Sequence, residues 1–126
     1  MTDKRDEDWT TAADTGQAPE TPLSPQERDE VLQRIGALRD EIDRLDEQLV
    51  QLLSRRAGCA LGIGKLKTAL GMQVYQPSRE QAVLQHVRGL NEGPLDDDAI
   101  ARLFERIIDE ARRLERVVHD ETGRQD

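Results

Sequence analysis

The stretch SPQERDEVLQRIGALRDEIDRLDEQLVQLLSRRAGCALGIGKLKTAL, residues 24–70, decides the fold. Its large apolar residues fall at Val31, Ile35, Leu38, Ile42, Leu45, Leu49 and Leu52, alternately four and three apart. That spacing draws one stripe along a single helix, the seam of a coiled coil. Ser24 offers an N-cap, Pro25 suits the first helical position, and Glu27 completes a capping box. No proline interrupts the run before Pro77, and Gly71 is the natural stop. A helix from Pro25 to Leu70 would be roughly 69 Å long at 1.5 Å per residue. A globular monomer of 126 residues has no room for it. It must pack against another chain or break.

Two shorter helices follow. Pro77 can open one over residues 78–90, with Ser78 and Gln81 as a weaker capping box. The cluster Asn91-Glu92-Gly93-Pro94 ends it. Asp96 is the expected N-cap of a third helix over 97–120, and the acids after it suit a helix N-terminus. Its seam runs Ile100, Phe104, Ile107, Ala111, Leu114, Val118. No segment of useful length has the period of a strand. The expected fold class is all-α: a three-helix chain with a long first helix.

Outside the helices lie an acidic leader and a short C-terminus. Residues 1–24 carry six acids against two bases and few large apolar side chains, a composition that cannot offset its ordering entropy. The expectation is a disordered tail at 1–24, a helical domain at 25–120 and a disordered end at 121–126. Charge excludes other classes: 18 basic against 26 acidic residues give −8, which argues against nucleic acid and anionic membrane as partners. With 2% aromatics, any core is aliphatic. One cysteine, Cys59, excludes an internal disulfide framework. His86 and His119 have no companion at metal-ligand spacing, so no metal is expected. There is no apolar run of membrane length and no signal-peptide pattern, so a cytoplasmic location is expected. No nucleophile motif or phosphate loop appears; Gly58, Gly62 and Gly64 sit in the first helix, where they would allow close helix approach.

Charge breaks the seams at a few places. Continued past Leu52, the first seam meets Arg56, Cys59, Ile63, Leu66 and Leu70. Lys67 lies eleven residues after Arg56 and therefore on nearly the same stripe. Two cations facing a seam need anions. Either each pairs with a carboxylate on a neighbouring helix or its long stem snorkels to solvent, or the two hold an anionic ligand inside the bundle. Glu115 edges the apolar stripe of the third helix, four residues after Ala111 and eleven after Phe104, while Arg112 and its charged neighbours lie mostly off that stripe. Glu115 is either a partner for Arg56 or Lys67 or a carboxyl group placed against a ligand. Arg79 and Glu80 open the second helix.

The string Leu38-Arg39-Asp40-Glu41-Ile42-Asp43-Arg44-Leu45-Asp46 resembles the opening of the all-helical class of chorismate mutases. Arg55-Arg56, Ile63-Gly64-Lys65-Leu66-Lys67, Val74 through Arg79-Glu80, and Leu103-Phe104-Glu105-Arg106-Ile107-Ile108 follow in that class's order and spacing. The resemblance spans residues 31–118. It implies an intertwined dimer with two shared active sites that isomerises chorismate to prephenate, the branch step toward phenylalanine and tyrosine, with no cofactor. By position it implies that Arg39 reaches into the partner's site and Arg56 grips a substrate carboxylate. It implies that Lys67 contacts the ether oxygen and a carboxylate. Arg79 and Glu80 match the arginine and glutamate of the second helix, the glutamate binding the substrate hydroxyl. Gln76 stands where an aspartate is common, Ala111 where a serine is, and Glu115 where a glutamine donates to the ether oxygen. The expected substrate-binding set is thus Arg39, Arg56, Lys67, Gln76, Arg79, Glu80 and Glu115, with Lys67 and Glu115 acting on the reacting atoms. The rival readings are isochorismate–pyruvate lyase, a mutase of aminated chorismate analogues, and a weakly active regulatory partner of DAHP synthase, the enzyme that starts the shikimate pathway.

Overall fold

The computed structural model of the chain describes residues 21–73 and 75–125, with side chains through residue 121. Most of the acidic leader, residues 1–20, falls outside them. Three helices make up the described residues: α1 (Pro25–Ala69), α2 (Pro77–Leu90) and α3 (Asp97–Gln125), with no strand among them. No helix among the described residues is long and apolar enough to cross a membrane.

The chain divides into two compact units, the first ending at Asp43 and the second beginning at Arg44. The first holds the start of α1. There the capping box forms as expected: the Glu27 backbone N–H donates to Ser24 Oγ at 3.1 Å, and the Ser24 N–H donates to Glu27 Oε1 at 2.8 Å. Hydrogen bonding to the Ser24 backbone N–H, and after it to the Ser24 side chain, holds the Glu27 carboxyl below its ordinary pKa. Pro25 sits where its missing N–H costs nothing. Val31, Leu38 and Ile42 are exposed and Ile35 is half-buried, so this stretch of stripe is left uncovered by the described residues.

The second unit begins on the same helix. Leu45, Leu49, Leu52, Ile63 and Leu66 are exposed in turn. Beyond the adjoining backbone of α1, nothing lies within 4 Å of where a Cβ would stand at Gly58 or Gly62, so the close helix approach expected of these glycines is not made among the described residues. The helix stops at Ala69, one residue before the expected end. Gly71 takes the left-handed conformation at φ 73°, its N–H donates to the Thr68 carbonyl, and the Met72 N–H donates to the Lys67 carbonyl at 2.8 Å. This pair of bonds is a Schellman motif, which needs a residue tolerant of positive φ at the position of Gly71.

α2 and α3 pack on each other, and the buried apolar residues among those described lie there: Leu84 and Val87 on α2 and Ala101 on α3. Asn91 ties the connection together. Its side-chain N–H groups donate to the Leu95 carbonyl and to Asp97 Oδ1, and its Oδ1 accepts from the Gly93 N–H. Asp96 caps α3 as expected, accepting from the Ala99 N–H at 2.6 Å. Two boundaries differ from the sequence reading. α2 starts at Pro77 with Gln76 as N-cap and no side-chain cap, so the Ser78–Gln81 box does not form. Proline fixes the first turn, and the Gln76 carbonyl already accepts from Arg79 and Glu80. α3 continues to Gln125, past the expected end at Asp120 and into the stretch expected to be disordered. Gly123 costs a helix only about 1 kcal/mol and no proline follows it, so nothing in that stretch forces a stop.

Candidate active site

The candidate site lies in the second unit, where α1 ends and faces the start of α2 and the middle of α3. Lys67 is in the last turn of α1, within the Schellman motif that fixes its backbone. Its Nζ donates to Gln76 Oε1 at 2.8 Å, across the reverse turn that leads into α2. The Gln76 side chain is thus directed to the end of α1 and makes no cap bond to α2.

Glu115 comes from α3 and is half-buried. Burial pushes its carboxyl above the ordinary value of 4.5, and the charges of Lys67 and Arg112 oppose the rise. Desolvation disfavours the anion while the two cations favour it, and desolvation is the larger effect. The site therefore joins a cation to a carboxyl group held closer to neutrality than a surface glutamate. Such a carboxyl can donate a hydrogen bond when protonated.

Arg56 is half-buried on α1, with its guanidinium carbon 6.0 Å from the centre of the Phe104 ring on α3. The ring face offers the cation a weak attraction without consuming its N–H donors. Arg79 is exposed at the start of α2. Arg39 is exposed in the first unit. Of the expected residues, the structure thus brings together Lys67, Gln76 and Glu115, sets Glu80 and Arg56 against α3, and leaves Arg39 and Arg79 on the surface.

One participant escaped the sequence reading. Arg112, placed mostly off the α3 stripe, is instead turned inward. Its Nη2 pairs with Glu80 Oε2 at 2.8 Å and with Asp109 Oδ1 at 3.2 Å. Its guanidinium lies over the Tyr75 ring, 4.6 Å from the centre. A signal was present, since Arg112 precedes Glu115 by three residues and so neighbours it on the helix. The choice between inward and outward for a residue at the stripe's edge depends on what α2 presents, and that is Glu80.

Comparison with known proteins bears on this arrangement. Residues 38–116 match the family model described as chorismate mutase type II. The chain belongs to that family. The match takes in α1 from Leu38, all of α2, and α3 through Arg116. A chorismate mutase structure from Thermus thermophilus superposes with a TM-score of 0.64 at 40% identity, covering 66% of this chain and 94% of that one. A bifunctional chorismate mutase/prephenate dehydratase of Pseudomonas aeruginosa is 45% identical over 87 residues, 65% of this chain. The matched part is 24% of that relative's length, so this chain spans about a quarter of the bifunctional protein. A chorismate mutase of Methanocaldococcus jannaschii is matched over 94% of its length at 24% identity. The all-helical fold expected of a chorismate mutase is the fold observed.

Proposed function

We propose that the chain isomerises chorismate to prephenate as a homodimer in the cytoplasm, on the route to phenylalanine and tyrosine. The observation that carries this reading is the Lys67–Gln76 hydrogen bond beside Glu115: an oriented ammonium whose charge acts on a half-buried carboxyl that desolvation biases toward neutrality. The reaction is an intramolecular rearrangement. A C–O bond breaks while a C–C bond forms, and no proton, nucleophile or cofactor takes part.

The task of the protein is then to hold a flexible dianion in its reactive conformation and to meet the charge that grows on the ether oxygen. Orientation of this kind can supply roughly 7–11 kcal/mol in favourable cases. Arg56 and Arg79, with Arg39 from the partner subunit, present guanidinium forks that match carboxylates. Glu80 accepts from the substrate hydroxyl. Lys67, oriented by Gln76, faces the breaking bond from a fixed position, where a preorganised cation is most effective. Glu115, when protonated, adds a second donor to the same oxygen.

The exposed aliphatic stripe of α1 supports the homodimer. Each large aliphatic side chain gains roughly 1.5–3 kcal/mol on full burial, and Val31, Leu38, Ile42, Leu45, Leu49 and Leu52 are all available for it. No feature of the described residues favours a complex with DAHP synthase. The test is formation of prephenate by the isolated chain, with isochorismate assayed in parallel. Prephenate from chorismate supports the reading; pyruvate and salicylate from isochorismate, with no prephenate formed, refutes it.

A further inference from the structure

We propose that Arg112 is a positioning residue for the substrate site, holding the Glu80 carboxylate from α3 so that its second oxygen is presented to the substrate hydroxyl. This rests on the proposed mutase activity and on Glu80 as the hydroxyl acceptor. The geometry is specific. Arg112 Nη2 takes Glu80 Oε2 at 2.8 Å, which leaves Oε1 to accept from a ligand. The same nitrogen meets Asp109 Oδ1 one turn earlier on α3, so the guanidinium is fixed from its own helix as well as from α2. The guanidinium carbon also lies over the Tyr75 ring, 4.6 Å from its centre.

Both partners are partly withdrawn from water, with side chains 32% and 24% exposed for Arg112 and Glu80. An ion pair in that setting is screened less than one at the surface. The planar arginine fork also loses less freedom per bond formed than a lysine would. Arg112 Nε is buried and has no hydrogen-bond partner among the described residues, so the guanidinium is held by its outer nitrogen and by the ring rather than by a full set of bonds. Tyr75, Glu80 and Arg112 then form one unit: the segment before α2 supplies the plate, α2 the carboxylate and α3 the clamp.

The experiment compares wild type, Arg112→Met, Arg112→Lys, Tyr75→Leu, Glu80→Gln and the Glu80→Gln/Arg112→Met double variant in the full chain. Steady-state kinetics with chorismate and thermal unfolding are measured on the same samples. Arg112→Met should lower kcat/KM roughly 10–100-fold, the scale on which misplacing a group matters. Arg112→Lys should restore part of that loss and Tyr75→Leu should show part of it. In the Glu80→Gln background, Arg112→Met should cost little more, because the carboxylate it orients is gone. Wild-type kcat/KM in folded Arg112→Met, or losses that multiply in the double variant, overturns the inference. Should Arg112→Met not fold, Arg112→Lys and Tyr75→Leu decide alone: unchanged kcat/KM in both overturns it. A wild-type chain that forms no prephenate instead removes the activity on which the inference rests. That result is read before any variant is compared.

Discussion

Lys67 and Gln76 are joined by a 2.8 Å hydrogen bond between the last turn of α1 and the residue that caps α2. The bond links residues nine apart, across a backbone already turned by Gly71. It gives the ammonium a direction that a solvated lysine lacks. Lys67→Ala should lower kcat roughly 10²–10³-fold, the range seen when a donor to a developing oxyanion is removed. The protein should remain helical. Turnover and thermal melting on one sample separate this from a structural lysine, for which stability falls and activity per folded molecule is kept.

Removing the amide oxygen while keeping the length tests the bond itself. Gln76→Met should leave the fold intact and lower kcat less than Lys67→Ala does, since the charge stays and only its orientation loosens. Equal losses in the two variants would show that Gln76 does more than aim the lysine.

Arg39 and Lys67 stand 28 residues apart in the sequence, and the proposed site draws them from two chains. Arg39→Ala and Lys67→Ala should each be nearly inactive as homodimers, and their co-refolded mixture should regain activity through dimers with one intact site. Mixed dimers verified by mass spectrometry but without regained activity would contradict a shared site.

Glu115 links pH to both rate and stability. Its carboxyl is raised by burial against the opposing charges of Lys67 and Arg112. A raised carboxyl favours the folded state most when protonated. That contribution is fully present below its unfolded pKa, near 4.5, and is lost as pH rises through the higher folded value. If the proton serves the ether oxygen, kcat should fall as pH rises through the pKa of Glu115 in the complex. Glu115→Gln carries a permanent N–H donor and should flatten that profile while keeping or raising the rate near neutrality. A level wild-type profile, together with a folded but inactive Glu115→Gln protein, would assign the charged form instead.

Leu84 is among the few buried side chains, at 6% exposure in the α2–α3 contact. Leu84→Ala should destabilise by about 2–4 kcal/mol through lost transfer energy and a residual cavity. Chemical denaturation should register the loss as a lower midpoint. A change below about 1 kcal/mol would mean that the two helices collapse onto the smaller side chain.

The sequence determined the local structure because its causes are local. Ser24, Pro25 and Glu27 start α1 through bonds within one turn, Gly71 ends it because positive φ is cheap without a Cβ, and Asp96 caps α3 through its own carboxylate. The four-three spacing of the apolar residues likewise marked a stripe that the chain cannot cover by itself, and Lys67 and Glu115 were visible as charges along such stripes. What only the tertiary structure decided depends on a second element. Gln76 could have capped α2 with its side chain; Lys67, nine residues earlier, takes its amide oxygen. Arg112 lies at the edge of the α3 stripe, where helical period permits either face, and Glu80 of α2 together with the Tyr75 ring draws it inward. Periodicity places a residue on a helix face. The charge or ring across from it is set by how helices meet, and that meeting is not encoded in the spacing of any one of them.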